Sequence, residues 1–189
     1  MSTVIDDDVL ALAGRAFVAT GRLDMGALAD SAGINRSTLY RRCGGRDALI
    51  AAVIWRLAEP TLHTAYAGAD GVGGERIADA LGRFADSVVS LKPFADFVRR
   101  EPERAMRLFT TRAGGVSNRI VSMIEDWVRA EVDAGTLTPV LPPRDTAYVL
   151  LRIAESFIYA EVLTGEEPEP MKVRQACGAL LGVSRAGGE

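Results

Sequence analysis

The apolar residues of this chain recur with the period of an α-helix along almost its whole length. From Asp6 to Ala19 they return every three or four residues, after three aspartates that favour a helix N-terminus. No segment alternates with the period of two that a half-buried β-strand requires. The pattern predicts an all-α fold, and Pro60 is expected to kink the fourth helix or to end its first half. The further predicted helices cover about 25–32, 36–43, 46–66, 75–91, 93–111, 115–134, 144–165 and 169–184.

Composition and charge exclude several classes of protein. The chain has 189 residues and a formal net charge of −3, which excludes a polycation that coats nucleic acid. Its longest unbroken apolar run, Ala48–Trp55, is too short to span a membrane, and its first residues lack the features of a secretory signal. We therefore expect a cytoplasmic protein with no membrane partner.

The sequence lacks the residues that common catalytic and metal sites need. Two distant cysteines, Cys43 and Cys177, and one histidine cannot form a multi-ligand metal site or a disulfide framework. The chain contains no His-Glu-x-x-His and no Gly-x-Ser-x-Gly motif. We expect no cofactor, no metal and no catalytic residue, and the protein is predicted not to be an enzyme.

Two short helical patterns between residues 25 and 43 flank a very tight connection. Glycine can adopt the positive φ that such a turn needs, a preceding alanine leaves room for the second helix, and asparagine is a good N-cap. These features predict a helix-turn-helix. Its turn and small core are formed by Ala29, Gly33, Ile34, Asn35 and Leu39.

The second of these helices carries a concentrated positive charge. From Arg36 to Arg46 there are four arginines and no acidic residue, within a chain that is acidic overall. Arginine reads guanine edges or phosphates, and hydroxyl groups contact phosphate, so the pattern favours DNA binding. A solvated basic face of an ordinary helical bundle is the alternative. The candidate DNA-binding residues are Arg36, Ser37, Thr38, Tyr40, Arg41, Arg42 and Arg46.

The C-terminal half offers a candidate dimer interface. The segment Asp145–Thr164 is apolar over most of its circumference, as expected for a helix that is buried on two sides. A second subunit would cover one side, although the central helix of a monomer would show the same pattern. The candidate interface residues are Leu150, Leu151, Ala154 and Ile158.

Aromatic and methionine side chains in this half suggest an effector pocket. For any single one of them, packing in the hydrophobic core is the simpler interpretation. The candidate pocket residues are Phe94, Phe97, Met106, Phe109, Met123 and Trp127.

Residues 29–49 resemble the DNA-binding head of the TetR family of bacterial transcriptional regulators, and the match extends over roughly residues 6–56. Its strongest element is Ser37–Tyr40, followed by the basic–acidic pair Arg46-Asp47 before Leu49. The resemblance implies a three-helix DNA-binding head with a helix-turn-helix, and a C-terminal helical domain that binds an effector and forms a homodimer through the last two helices. The implied domains are a head over 1–45, a connecting helix over 46–67 and the effector-binding and dimerisation domain over 68–189.

The chain departs from the family pattern at a few positions. Cys43 stands where the family usually has a bulky aromatic residue, and Arg46 replaces a lysine that touches the phosphate backbone. Asp24 stands near a threonine that bonds phosphate in many members, and a carboxylate there would repel DNA. The windows Arg36–Leu49 and Arg112–Val116 are similar to members that regulate the degradation of quorum-sensing lactones.

Together these features predict a ligand-responsive repressor. As a homodimer it would bind a pseudo-palindromic operator in double-stranded DNA, and a small-molecule effector would release it. The alternative is a helical protein that binds small molecules but not DNA.

Overall fold

The structure is a computed structural model that describes residues 5–111 and 114–183. Every regular element in these residues is an α-helix, so the all-α prediction is confirmed. None of the described helices combines the length and the apolar character needed to cross a lipid bilayer. The helices are α1 (Asp7–Thr20), α2 (Met25–Ser31), α3 (Arg36–Cys43), α4 (Arg46–Ala67), α5 (Gly74–Ser90), α6 (Lys92–Arg100), α7 (Pro102–Thr110), α8 (Val116–Asp133), α9 (Pro143–Ile158), α10 (Ala160–Leu163) and α11 (Pro170–Leu180).

Two of the predicted helices are divided in the structure. The segment 93–111 forms α6 and α7, which meet at Glu101, because Pro102 cannot continue the hydrogen-bond ladder and begins a new helix. The segment 144–165 breaks at Tyr159 into α9 and α10. The helix α4 runs through Pro60 without ending. The last helix, α11, ends at Leu180, and its predicted end at residue 184 lies outside the described residues.

The described residues form two compact units. Unit 1 consists of Met1–Glu59 and Leu91–Val116, and unit 2 of Pro60–Ser90 and Ser117–Glu189. The helices α6 and α7 therefore pack with α1–α3 in unit 1, although the predicted division over 1–45, 46–67 and 68–189 assigns them to the effector domain. The functional boundaries stay a prediction.

A close contact between α1 and α6 anchors the core of unit 1. The rings of Phe17 and Phe97 meet edge to face with their centroids 5.7 Å apart, and both side chains are fully buried. Gly21 ends α1 with a φ of 60°, and a Cβ atom there would lie 2.4 Å from the carbonyl oxygen of Pro93. Only glycine fits this junction, because any side chain would be strained and would also clash.

Buried carboxylates hold unit 2 together. Glu131 of α8 accepts hydrogen bonds from the Tyr66 hydroxyl at 3.0 Å, from the Gly73 backbone N–H at 2.8 Å and from the Thr136 hydroxyl at 2.6 Å. Asp79 of α5 pairs with Arg83 and Arg174, and so connects α5 with α11. These contacts order the glycine-rich connection before α5.

Candidate nucleic-acid interface

The helices α2 and α3 are joined by a four-residue turn at Ala32–Asn35. Gly33 has a φ of 65°, in the left-handed region that glycine adopts without strain. The turn is closed by the backbone N–H of Ile34, which donates to the carbonyl oxygen of Ala29 over 3.1 Å. This local geometry sets the direction in which α3 leaves the turn.

Asn35 caps the N-terminus of α3. Its side-chain oxygen accepts from the Thr38 backbone N–H at 2.9 Å and from the Ser37 hydroxyl at 2.7 Å. The cap satisfies an N–H group that the helix itself leaves unpaired. Because the Ser37 hydroxyl proton is used inside the cap, Ser37 would have to leave this bond in order to donate to DNA.

The two sides of α3 have different environments. Leu39 and Cys43 are buried in unit 1, and the Cys43 thiol lies 3.6 Å from the carbonyl oxygen of Gly45. Thr38 is half-buried. The exposed side of the helix presents Arg36, Ser37, Tyr40, Arg41 and Arg42.

Arg36 and Tyr40 interact on the exposed side of α3. The guanidinium carbon of Arg36 lies 5.6 Å from the centroid of the Tyr40 ring, one helical turn away. A cation over an aromatic face is attracted by the ring quadrupole. The Tyr40 side chain therefore limits the conformations of Arg36 and keeps its guanidinium near the start of the helix.

Asp24 caps α2 and carries a negative charge at this surface. Its carboxylate accepts from the backbone N–H groups of Ala27 at 3.0 Å and Gly26 at 2.7 Å. These backbone hydrogen bonds lower the pKa of Asp24, and the positive charge of Arg36 adds to the effect. A phosphate at the start of α2 would meet this carboxylate, so the structure favours Asp24 as a cap and as a neighbour of Arg36.

Arg46 has a different environment from the arginines of α3. Its guanidinium donates to both carboxylate oxygens of Glu101, at 2.8 and 2.7 Å, and to the carbonyl oxygen of Leu23 at 3.0 Å. Its side chain is 24% exposed, whereas that of Arg42 is 48% exposed and lies 3.6 Å from Asp6. Arg46 is already used within unit 1, and the sequence analysis, which assigned it to phosphate, did not anticipate this pair.

Further charged residues of α4 and α7 surround the pair of Arg46 and Glu101. Glu101 also pairs with Arg104, which reaches Asp47 at 2.9 Å, and Arg107 contacts Asp47 at 2.6 Å. Hydrogen bonds from Arg46 lower the pKa of Glu101 to about 2. We call these five residues the corner cluster. No short-range signal predicts it, because its partners are far apart in sequence.

The six candidate pocket residues lie in different units. In unit 1 the ring of Phe109 packs on those of Phe94 and Phe97, with centroids 5.3 and 6.0 Å apart, and Met106 of the same unit is half-buried. Met123 and Trp127 belong to α8 of unit 2, where the Trp127 ring stacks on Tyr66 at 4.8 Å. The effector pocket therefore stays a prediction.

The candidate dimer residues need a correction. Leu150, Leu151, Ala154 and Ile158 are buried within the single chain, where α9 packs against α5 and α11. Side chains that are already buried leave almost no surface for a second copy. The exposed side of α9 includes Tyr148 instead, with 53% of its surface accessible.

Comparisons with known proteins identify the family of this chain. The family model described as the tetracyclin repressor-like C-terminal domain matches residues 72–182, which is more than half of the chain. The chain belongs to the TetR family of transcriptional regulators. Comparison with functionally curated proteins gives no match.

Solved structures of TetR-family regulators are similar over nearly the whole chain. The Rhodococcus erythropolis transcriptional repressor QsdR is 32% identical, with a TM-score of 0.88 and a coverage of 97% of each chain. A TetR-family transcriptional regulator from Streptomyces coelicolor is 15% identical, with a TM-score of 0.52, and the match covers 94% of this chain and 81% of that one. The second likeness supports the fold alone.

Proposed function

We propose that this TetR-family regulator is a ligand-responsive repressor. It binds a pseudo-palindromic operator in double-stranded DNA as a homodimer, and a small-molecule effector lowers its affinity for that DNA. The exposed side of α3 carries the proposal, since it presents three arginines and Tyr40 without an acidic residue on the same helix.

The roles within α3 follow from its geometry. Arg36 lies at the start of the helix, where side chains of a recognition helix reach base edges in the major groove. Tyr40 holds Arg36 and can donate its hydroxyl to a phosphate. Arg41 and Arg42, in the last turn, are suited to phosphate contacts.

The dimer and the effector complete the proposal. The exposed side of α9, including Tyr148, is the surface that we assign to contact with the second copy. The dimer would then hold its two DNA-binding heads at a fixed spacing that matches successive major grooves. The likeness of Arg36–Leu49 to regulators of quorum-sensing lactone degradation makes lactones the first effectors to test. Arg112 and Ala113, which are also part of that likeness, lie outside the described residues.

A gel-shift titration on the DNA upstream of the protein's own gene tests the proposal. We expect Arg36→Ala to weaken binding and to change the sequence preference, and Tyr40→Phe to weaken binding to all sequences alike. Arg129→Ala is the control, because Arg129 is also an exposed arginine but belongs to α8 of unit 2, where it pairs with Glu125. If wild-type protein does not bind specifically, or Arg36→Ala and Arg129→Ala bind equally well, the alternative of a helical small-molecule carrier is favoured.

A further inference from the structure

A groove lies between α1 and α2 in unit 1. It has a volume of about 540 Å³ and follows α2 from its N-cap, Asp24, to its last residue, Ser31. Two exposed arginines line it, Arg15 of α1 and Arg22 of the connection between α1 and α2. Neither of them belongs to α3, so the groove carries positive charge that the proposed contact of α3 with DNA does not use.

The two arginines of the groove have no carboxylate partner among the described residues. In residues 5–111 and 114–183, the guanidinium groups of Arg15 and Arg22 form no ion pair and no hydrogen bond to a carbonyl oxygen. Exposed arginines elsewhere do pair, for example Arg129 with Glu125 at 2.6 Å. An arginine that is not paired binds a phosphate without first giving up a carboxylate.

The connection that carries Arg22 is held in place by hydrogen bonds. The backbone N–H of Arg22 donates to the Thr20 hydroxyl oxygen over 3.1 Å. A terminal nitrogen of Arg100, on α6 of the same unit, donates to the carbonyl oxygens of Gly21 at 2.7 Å and Thr20 at 3.2 Å. The backbone at Arg22 is therefore fixed before a ligand binds, which lowers the entropic cost of using its side chain.

The described residues that line the groove include one carboxylate, that of Asp24. It accepts from two backbone N–H groups of α2 and has Arg36 of α3 as a charged neighbour. Arg15 and Arg22 are not among the main causes of its lowered pKa. The groove thus adjoins the start of α3, and its two guanidinium groups face one carboxylate that the helix cap already uses.

The position of the groove along α2 indicates what it binds. In a helix-turn-helix the second helix enters the major groove, while the first helix crosses the DNA backbone. Helix α2 is the first helix here, and the groove lies along one side of it. We propose that this groove receives the sugar–phosphate backbone of the operator, and that Arg15 and Arg22 each bind a phosphate. This inference rests on the proposed function and adds two contacts in each subunit to those of α3.

The chemistry of these contacts determines their effect. Arginine binds phosphate through charge-assisted hydrogen bonds that do not depend on the base sequence. Each contact also releases counterions from the DNA, so it makes the affinity depend more steeply on salt. Arg15 and Arg22 should therefore strengthen binding to every duplex and fix the orientation of the head, whereas Arg36 discriminates between sequences.

Salt titrations of DNA binding by the full chain test these contacts. The two probes are the DNA upstream of the protein's own gene and a shuffled duplex of the same composition. Arg15→Gln and Arg22→Gln should each lower the slope of log K against log salt by about two in the homodimer, and the double variant by about four. The ratio of the affinities for the two probes should stay at its wild-type value.

Two controls separate a phosphate contact from a general effect on charge or folding. The double lysine variant, Arg15→Lys with Arg22→Lys, keeps both positive charges and should retain the wild-type slope. Arg56→Gln removes a positive charge elsewhere in unit 1, because Arg56 is a 49% exposed arginine of α4 that lies 3.6 Å from Asp7. It should also retain the wild-type slope.

Each outcome decides the matter. The groove contact is overturned if the double glutamine variant, folded by circular dichroism, keeps the wild-type slope, or if the lysine variant or Arg56→Gln lowers the slope as much. If wild type binds neither probe, the groove contact and the proposed function are both overturned. An unchanged slope in the double glutamine variant, together with weaker binding by Arg36→Ala, removes the groove contact alone and leaves the proposed function standing.

Discussion

The pair formed by Arg46 and Glu101 should contribute measurably to the stability of unit 1. It contains two charge-assisted hydrogen bonds of 2.8 and 2.7 Å between side chains that are about a quarter exposed. The lowering of the pKa of Glu101 from 4.5 to about 2 corresponds to an upper bound of roughly 3 kcal/mol. Arg104 supplies part of this effect and solvent screens the pair, so we expect a coupling energy of about 1–2 kcal/mol.

A double-mutant cycle measures this coupling. Arg46→Ala, Glu101→Ala and the double variant are unfolded in denaturant at pH 7 and at one fixed protein concentration. The pKa of Glu101 is lower in the folded state, so its contribution is present above about pH 4.5 and is lost as the pH falls towards 2. The difference in stability between wild type and Glu101→Gln should therefore shrink in acid.

The same variants test whether Arg46 contacts DNA. A phosphate contact would make Arg46→Ala lower the slope of log K against log salt by about one per contact, or about two in a dimer. Since both terminal nitrogens of the guanidinium already donate to Glu101 and its Nε donates to the carbonyl oxygen of Leu23, we expect the slope to stay at its wild-type value. Stability effects that add to within about 0.5 kcal/mol, together with a lower slope, would refute the pair and identify Arg46 as a DNA contact.

Four further substitutions test the packing of the two units. Gly21→Ala should lower the free energy of unfolding by more than about 2 kcal/mol, because its Cβ would meet the Pro93 oxygen at a φ of 60°. Gly14→Ala has open space around it in α1, so it should raise the free energy of unfolding by about 0.5–1 kcal/mol. Thermal unfolding measures both effects. Glu131→Gln should destabilise by about 1–3 kcal/mol at pH 7, since an amide nitrogen would face one of three donors, and unchanged denaturation midpoints would contradict this. Pro60→Ala should stabilise α4 by about 1–3 kcal/mol, because Pro60 is exposed and lacks the N–H of a helix interior, and calorimetry showing no gain would argue that the helix has adapted to proline.

Features that depend on a few neighbouring residues could be predicted from the sequence. The tight turn at Gly33, the cap at Asn35 and the two sides of α3 all arise within one or two helical turns, so local rules describe them. The breaks at Glu101 and Tyr159 were missed, because apolar periodicity continues across both. Pro102 was the available signal for the first break.

Burial against a distant part of the chain could not be predicted in the same way. A broadly apolar helix can be covered by a partner subunit or by its own chain, and the pattern is identical in both cases. In the structure Leu150, Leu151 and Ala154 are buried within the single chain, where α9 packs against α5 and α11. The choice depends on contacts between residues that are far apart in sequence.

The charge of the candidate nucleic-acid interface also depends on contacts between residues that are far apart in sequence. The sequence contributes four positive charges between Arg36 and Arg46, but the field that DNA meets depends on which of them have acidic neighbours. Glu101 pairs with Arg46 and Asp6 lies 3.6 Å from Arg42, whereas Arg36 contacts the ring of Tyr40 and has Asp24 as a weaker charged neighbour. We therefore expect sequence-specific recognition to depend mainly on Arg36 at the start of α3, and we expect the remaining arginines of this helix to set the general affinity for the phosphate backbone.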